Sequence, residues 1–226
     1  MKLKDKVAII TGAAAGIGKA AALRFAREGA RLALADIDRE GLGRVVEEIE
    51  SAGVPVLGIQ ADVGEVQDTE RIVAETLSRF GTIEVLVNNA ATTRLTKPVV
   101  EMTVQEWDSC LNATLRSVFL LSKLAAPEMR NAGGGTILNV GSVGATMAWA
   151  GGAAYCAAKS GILALTKVLA TEFGPWNIRV ITLSPGAIMT PNLEEAVRVR
   201  EGHLDRLKAK SVLGRVGQPE EIAAVM

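Results

Sequence analysis

Val7-Ala8-Ile9-Ile10-Thr11-Gly12-Ala13-Ala14-Ala15-Gly16-Ile17-Gly18 is the stretch whose reading decides the fold. Its first four residues form a continuous apolar run, the pattern of a strand buried on both faces of a parallel sheet. A glycine-rich turn follows, and a helix is expected from about Gly16 to Glu28. A strand that runs through glycines into a helix leaves backbone amides free at the helix N-terminus, where the dipole favours a phosphate group. The spacing is Gly-x-x-x-Gly-x-Gly. Tight helix packing uses such glycines too, so the strand before and the helix after carry the phosphate reading.

Working outward, the same alternation recurs down the chain. Strands are expected at Arg31 to Asp36, Val54 to Gln60, Ile83 to Val87, Thr136 to Val140 and Ile178 to Leu183. Between them the spacing predicts helices over Arg39 to Ala52, Glu65 to Phe80, Val104 to Met129 and Ala153 to Phe173. Pro127 is expected to bend or end the third of these. Strands alternating with helices imply right-handed crossovers and a mostly parallel sheet. The fold class is therefore α/β: a single doubly wound domain over residues 1–226, with six strands and helices on both faces.

Composition narrows the function classes. The 226 residues are 49% apolar and carry 25 basic against 25 acidic groups, so nothing in the charge favours nucleic acid, and a small molecule is the expected partner. The two cysteines, Cys110 and Cys156, and the single histidine, His203, have no zinc-ligand spacing, so no metal is expected. Cysteine usage and the lack of an apolar leader pattern give the expectation of a soluble cytoplasmic protein.

The strand ends hold the polar residues. Asp36 closes the second strand 18 positions after Gly18, where a carboxylate can accept from a ribose diol and repel a 2′-phosphate. Asp38 stands nearer the next helix start and is the better cap, which leaves Asp36 for NAD. Asp62-Val63 closes the third strand and Asn88-Asn89-Ala90 the fourth. Ser142 follows the fifth strand, and the only tyrosine, Tyr155, stands four residues before Lys159. On a helix, positions i and i+4 share a face, so an ammonium would lie beside a phenol. Such a cation is expected to lower the phenol's pKa by roughly 3 units toward neutrality, which makes it an acid or base.

Thr11-Gly12-x-x-x-Gly16-x-Gly18, Asn88-Asn89-Ala90, Ser142, Tyr155-x-x-x-Lys159 and Pro185-Gly186, taken in this order, resemble the short-chain dehydrogenase/reductase family over nearly the whole chain. The resemblance implies a Rossmann-like fold and hydride exchange between a nicotinamide cofactor and an alcohol or carbonyl. It implies that Ser142 bonds the substrate oxygen, Tyr155 exchanges its proton, and Lys159 holds the ribose. Gly12, Gly16, Ile17, Gly18, Asp36, Asp62, Val63, Asn89 and Ala90 would bind the adenosine and phosphates, with Pro185, Gly186, Ile188 and Thr190 at the nicotinamide.

Three departures stand out. Where the family places a catalytic asparagine on a kinked helix, this chain has Thr114, with Asn112 two positions earlier and turned about 200° away. Ala91 replaces a usual glycine. After Gln218-Pro219 the last helical pattern stops at Met226, short of the family's seventh strand, and a truncated chain is the expectation. Residues 190–211 are expected to form a substrate lid. Arg94, Ser142, Met147 and Trp149 are the candidate substrate contacts, with Arg94 or Arg198 as partners for an anionic substrate. Apolar residues on two faces of the helices from Val104 and Ala153 predict a homodimer or homotetramer. The leading reading is an NAD-dependent oxidoreductase acting on a secondary alcohol, a sugar or the corresponding carbonyl compound. An NADP-dependent 3-oxoacyl reductase and a non-catalytic nucleotide sensor or scaffold are the alternatives.

Overall fold

A computed structural model of the chain describes residues 1–92 and 96–226. Six strands form one sheet: β1 Val7–Thr11, β2 Arg31–Asp36, β3 Val56–Gln60, β4 Val85–Asn88, β5 Gly135–Val140 and β6 Ile178–Leu183. Every pairing is parallel, and the spatial order is β3-β2-β1-β4-β5-β6. The chain moves outward from β1 to β3, then returns to the other side of β1 with β4. That reversal opens a crevice above the carboxyl ends of the strands, where doubly wound sheets bind ligands.

Alternate strand residues face opposite layers. Ala8 and Ile10 pack with Leu32 and Leu34 against α1 (Gly16–Arg27) and α2 (Arg39–Ser51), where Phe25, Leu42, Val45 and Ile49 complete one core. Ile9, Ala33, Leu86 and Ile137 face the other layer, built from α3 (Val66–Phe80), α5 (Ser117–Asn131) and α6 (Ala153–Phe173). By length and composition the segment Ala153–Trp176 could cross a membrane. In the fold, Ile162, Leu169 and Phe173 of α6 are buried instead, the last two in this second core.

Several boundaries differ from expectation. β3 starts at Val56 because Pro55 has no N–H to donate; its carbonyl still accepts from Leu32 N at 3.0 Å. β4 is regular from Val85, although Glu84 before it already donates to Val7 O at 3.1 Å and accepts from Thr136 N at 2.9 Å. Pro127 does not end its helix, which runs to Asn131. Pro127 is exposed, and so is Lys123, whose carbonyl the proline leaves unbonded, so water can satisfy it. The expected long helix is divided into α4 (Val104–Leu111), a π-helical turn at Asn112–Arg116, and α5. Ser117 sustains that turn: its amide bonds the Asn112 carbonyl, and its Oγ donates to Ala113 O at 2.8 Å. The expected lid is two helices, α7 (Pro191–Val199) and α8 (His203–Lys210), because Gly202 takes a left-handed φ of 66° between them. The short α9 (Pro219–Ala223) buries Ala223 in the first core beside α1.

Candidate active site

A cleft of about 960 Å³ runs along the carboxyl ends of the strands. Gly12, Gly16, Ile17, Asp36, Asp62, Val63, Asn89, Ala90, Ser142, Tyr155, Lys159, Pro185, Gly186, Ile188 and Thr190 all line it. Residues spread over most of the sequence therefore meet in one site.

The glycine turn forms its floor. Gly12 and Gly16 hold φ of +66° and +54°, which side-chain-bearing residues rarely adopt. A Cβ on Gly12 would also come within 2.8 Å of Asn89 Nδ2. Asn89 uses that nitrogen to donate to Thr11 O (2.9 Å) and Gly12 O (3.1 Å). Thr11 Oγ1 in turn accepts from the amides of Asn89 and Ala90, both at 3.1 Å. The N-cap of α1, Ala15, supplies no side-chain cap, so the first-turn amides remain available for an anion. Gly18 corrects its sequence reading. It does not line the cleft; a Cβ there would lie 2.0 Å from Gly12 O, so it is the glycine that lets α1 close against the turn.

Asp36 is fixed by main-chain donors. Ala14 N donates to Oδ2 and Asp38 N to Oδ1, both at 2.9 Å. Asp38 caps α2 through Gly41 N at 3.1 Å, which frees Asp36 to face the cleft. A carboxylate oxygen accepts more than one bond, so Asp36 retains acceptor capacity for a diol. Asp62 is held in the same way, with its amide on Asp68 Oδ2 and its Oδ1 accepting from Gly64 N.

Under the opposite end lies a buried polar rung. Asn88 Nδ2 donates to Asn139 Oδ1 at 2.8 Å, and Asn139 Nδ2 donates to Thr166 Oγ1 at 2.9 Å. Thr182 Oγ1 donates to the same hydroxyl at 2.7 Å. Asn88, Asn139 and Thr182 are in register on three adjacent strands. The rung thus aligns the strand ends from which Asn89, Val140 and Ser142 enter the site. Val143 N, one residue on, donates to Pro185 O at 3.0 Å and joins the serine loop to the Pro185-Gly186 segment.

Ser142 Oγ accepts from Gly144 N at 3.0 Å, and the Ser142 side chain acts to lower the pKa of the Tyr155 phenol. Lys159 is 2% exposed, with its ammonium donating to Val140 O at 2.6 Å. The Lys159 Nζ lies 5.7 Å from the Tyr155 ring centroid. Sequence spacing predicts a phenol lowered by this cation, and the structure corrects that. Burial raises the Tyr155 pKa above its usual value, outweighing the lowering by Ser142. Burial also brings Lys159 down to about 8. The cation is itself desolvated and engaged by a backbone carbonyl, so its proton is the looser of the two.

Thr114, at the position expected for the catalytic asparagine, lies away from the cleft. It is fully buried in the π-helical turn, outside the cleft lining, and its Oγ1 accepts from Thr92 N at 3.2 Å. Cys110, one turn earlier, points its thiol at Thr92 O at 3.7 Å. The two side chains clamp the backbone of Thr92, itself a cleft residue. The cleft also includes Gln105, Asp108 and Ser109, which sequence reading passed over, and Asn112, which it set aside as turned away. Their i, i+3, i+4, i+7 spacing was the available signal for one polar helix face.

The substrate candidates separate. Met147 and Trp149 lie on the exposed rim beside Tyr155 rather than in the cleft lining. Arg198 is 76% exposed at its side chain and pairs with Glu195, which does not support a role in binding an anion. Arg94 lies outside the described residues.

Residues 12–226 match a family described as enoyl-(acyl carrier protein) reductase. The 3-oxoacyl-(acyl-carrier-protein) reductase FabG of Thermotoga maritima is 39% identical, covering 100% of this chain and 90% of that protein. The D-threitol dehydrogenase of Mycolicibacterium smegmatis is 38% identical over 99% of this chain and 85% of that one. The structure of a 7α-hydroxysteroid dehydrogenase complexed with NADH and 7-oxo glycochenodeoxycholic acid superposes with a TM-score of 0.92. It is 33% identical, covering 99% of this chain and 86% of that chain. With a six-stranded Rossmann-like sheet and Ser142, Tyr155 and Lys159 gathered at one cleft, the chain belongs to the short-chain dehydrogenase/reductase family of oxidoreductases.

Proposed function

We propose that the protein transfers hydride between NAD(H) and a secondary alcohol, a sugar or the corresponding carbonyl compound. One observation carries the reading: a single cleft has the amide-held Asp36 at one end and the hydroxyls of Ser142 and Tyr155 at the other. The open amides of α1 and the left-handed glycines fit a dinucleotide's phosphates, and Asp36 fits an unphosphorylated ribose. The nicotinamide, when bound, supplies or accepts the hydride.

The chain's own residues handle the oxygen and its proton. Ser142 donates to the substrate oxygen, and Tyr155 takes its proton in oxidation or returns it in reduction. Lys159, with a pKa near 8, stands beside the phenol as the group able to hold or release a proton near neutrality. Thr114 lies outside the cleft lining, with its hydroxyl accepting from Thr92 N, so this reading routes no proton through its side chain.

A reductase of 3-oxoacyl thioesters is the second reading, and the 39% identity with the Thermotoga maritima relative favours it. Asp36 argues against NADP in either case, because its charge would oppose a 2′-phosphate. The test is turnover of an alcohol, sugar and 3-oxoacyl panel with NAD and NADP, alongside Tyr155→Phe. Tyr155→Phe that binds coenzyme without turnover supports the reading. Coenzyme binding without turnover of any substrate by the natural protein favours the sensor alternative.

We also propose a homodimer through α5 and α6. Phe119 on α5 and Val168 on α6 are exposed, 44% and 51% respectively, on faces turned away from the sheet. A monomer in sedimentation at micromolar concentration would refute it.

A further inference from the structure

The rim beside Tyr155 carries an aromatic surface that the hydride reading leaves unused. Trp149 is 45% exposed, in the segment between Ser142 and α6. Its ring is held in place. A Cβ on Gly144 would lie 2.8 Å from the indole Cη2, and one on Gly152 would lie 2.7 Å from Nε1. The indole therefore rests directly on two buried glycine backbones. Gly144 is the residue whose amide bonds Ser142 Oγ, and Gly152 is the N-cap of α6, three positions before Tyr155. The Trp149 and Tyr155 rings lie 6.0 Å apart at 44°. Between its two glycine seats, the indole is built onto both segments that supply the reacting hydroxyls.

The neighbouring surface is apolar and carries no unpaired cation among the described residues. Met147 is 57% exposed on the same segment. Lys97 N donates to Gly151 O at 3.1 Å and closes the far side, but the Lys97 ammonium is paired with both oxygens of Glu106.

We propose that Trp149 is the platform for a ring-bearing substrate: a secondary alcohol or ketone whose reacting carbon lies in, or is bonded directly to, a carbocyclic or aromatic ring. The inference rests on the oxidoreductase reading and adds its substrate class. An indole already fixed on glycines loses little freedom when a ring lies on it, and a rigid ring has few rotors to freeze. An open-chain alcohol must order its chain to cover the same area. The polar end of the substrate meets Ser142 and Tyr155, and its flat apolar side meets Trp149.

The test compares the natural protein with Trp149→Leu and Trp149→Phe on size-matched pairs, cyclohexanol against 3-hexanol and cyclohexanone against 3-hexanone, with NAD(H). The natural protein is expected to favour the ring partner in kcat/KM. In Trp149→Leu that preference falls by about tenfold, equivalent to about 1.4 kcal/mol, mainly through KM. In Trp149→Phe most of it remains, which separates loss of the platform from loss of fold. The pH profile of kcat keeps its shape in both variants, because Tyr155 is unchanged. A natural protein without ring preference, or a Trp149→Leu variant that loses both partners equally, overturns the inference while leaving the hydride reading intact. A natural protein that turns over neither partner of either pair with NAD(H) or NADP(H) overturns the inference. If it also turns over nothing on the alcohol, sugar and 3-oxoacyl panel, the hydride reading falls with it.

Discussion

The two ends of the cleft are built on different principles. At the nucleotide end, side chains are fixed by main-chain partners: Asp36 by two amides, Asn89 by two carbonyls, and Thr11 by two further amides. At the other end, Met147 and Trp149 are exposed, and neither α7 nor α8 has a buried residue. A site held by the backbone tolerates few residue types, so short motifs reveal it. A site made of exposed side chains can change with its substrate while the fold stays the same. The spread of relatives, from a threitol dehydrogenase to a hydroxysteroid dehydrogenase, fits that division.

The comparison can be strained at several points. The largest effect is expected at the junction of the two ends. Tyr155→Phe should lower kcat by roughly 10²–10⁴-fold, the range for a lost general acid or base, with the coenzyme dissociation constant within about twofold. Rapid-quench or steady-state kinetics beside coenzyme titration would decide it. A variant retaining more than about a tenth of the natural kcat would remove Tyr155 from the chemistry.

Lys159→Met tests the buried cation through stability. The folded pKa of about 8 lies below the ordinary 10.5. Below pH 8 both states hold the proton, and the buried charge weighs against folding. Between about 8 and 10.5 the folded state has released a proton that the unfolded chain keeps, so stability rises with pH, by up to about 3 kcal/mol. The methionine variant lacks that rise, and Tyr155 is common to both proteins. Urea unfolding at pH 7 and pH 10 should show the natural protein gaining on the variant as pH increases. Parallel behaviour would mean that Lys159 is not desolvated as the structure has it.

Asp36→Asn probes the nucleotide end alone. Removing a unit charge near a phosphate, worth about 4 kcal/mol at about 4 Å and an effective dielectric of about 20, should shift the NAD to NADP preference by up to about 1,000-fold. Ratios of kcat/KM for the two coenzymes measure it, and an unchanged ratio would move coenzyme choice elsewhere.

The smallest effect belongs to Thr114→Val. It leaves the part-buried amide of Thr92 without its partner and should cost about 1 kcal/mol of unfolding free energy, with only a modest fall in kcat. A loss of activity as large as that of Tyr155→Phe would return Thr114 to the proton path.

Much of the nucleotide end was legible because each signal was local. Asp38 read as a helix cap, and it is one; Asp36 read as left over for the cleft, and it lines the cleft. Gly18 was misread because a motif does not say which glycine faces the ligand and which meets another backbone. Asn88, Asn139, Thr166 and Thr182 were invisible as a unit: their rung exists only once three strands lie in register. The spacing of Tyr155 and Lys159 brought both to the cleft but gave the opposite direction for the phenol's pKa. Burial depends on everything packed around a group, and spacing carries none of that information.

By itself the sequence determined the alternation of strands and helices, the glycine turn between β1 and α1, and the residues Asp36, Ser142, Tyr155 and Lys159 that line the cleft. Those follow from periodicity, from glycine's access to positive φ and from residue chemistry, all properties of a few neighbouring positions. Tertiary structure decided that Lys159 bonds Val140 O, that Thr114 and Cys110 clamp Thr92, and that Trp149 rests on two glycines beside Tyr155. Each of these depends on desolvation or on close approach between segments distant in sequence, which no local pattern encodes.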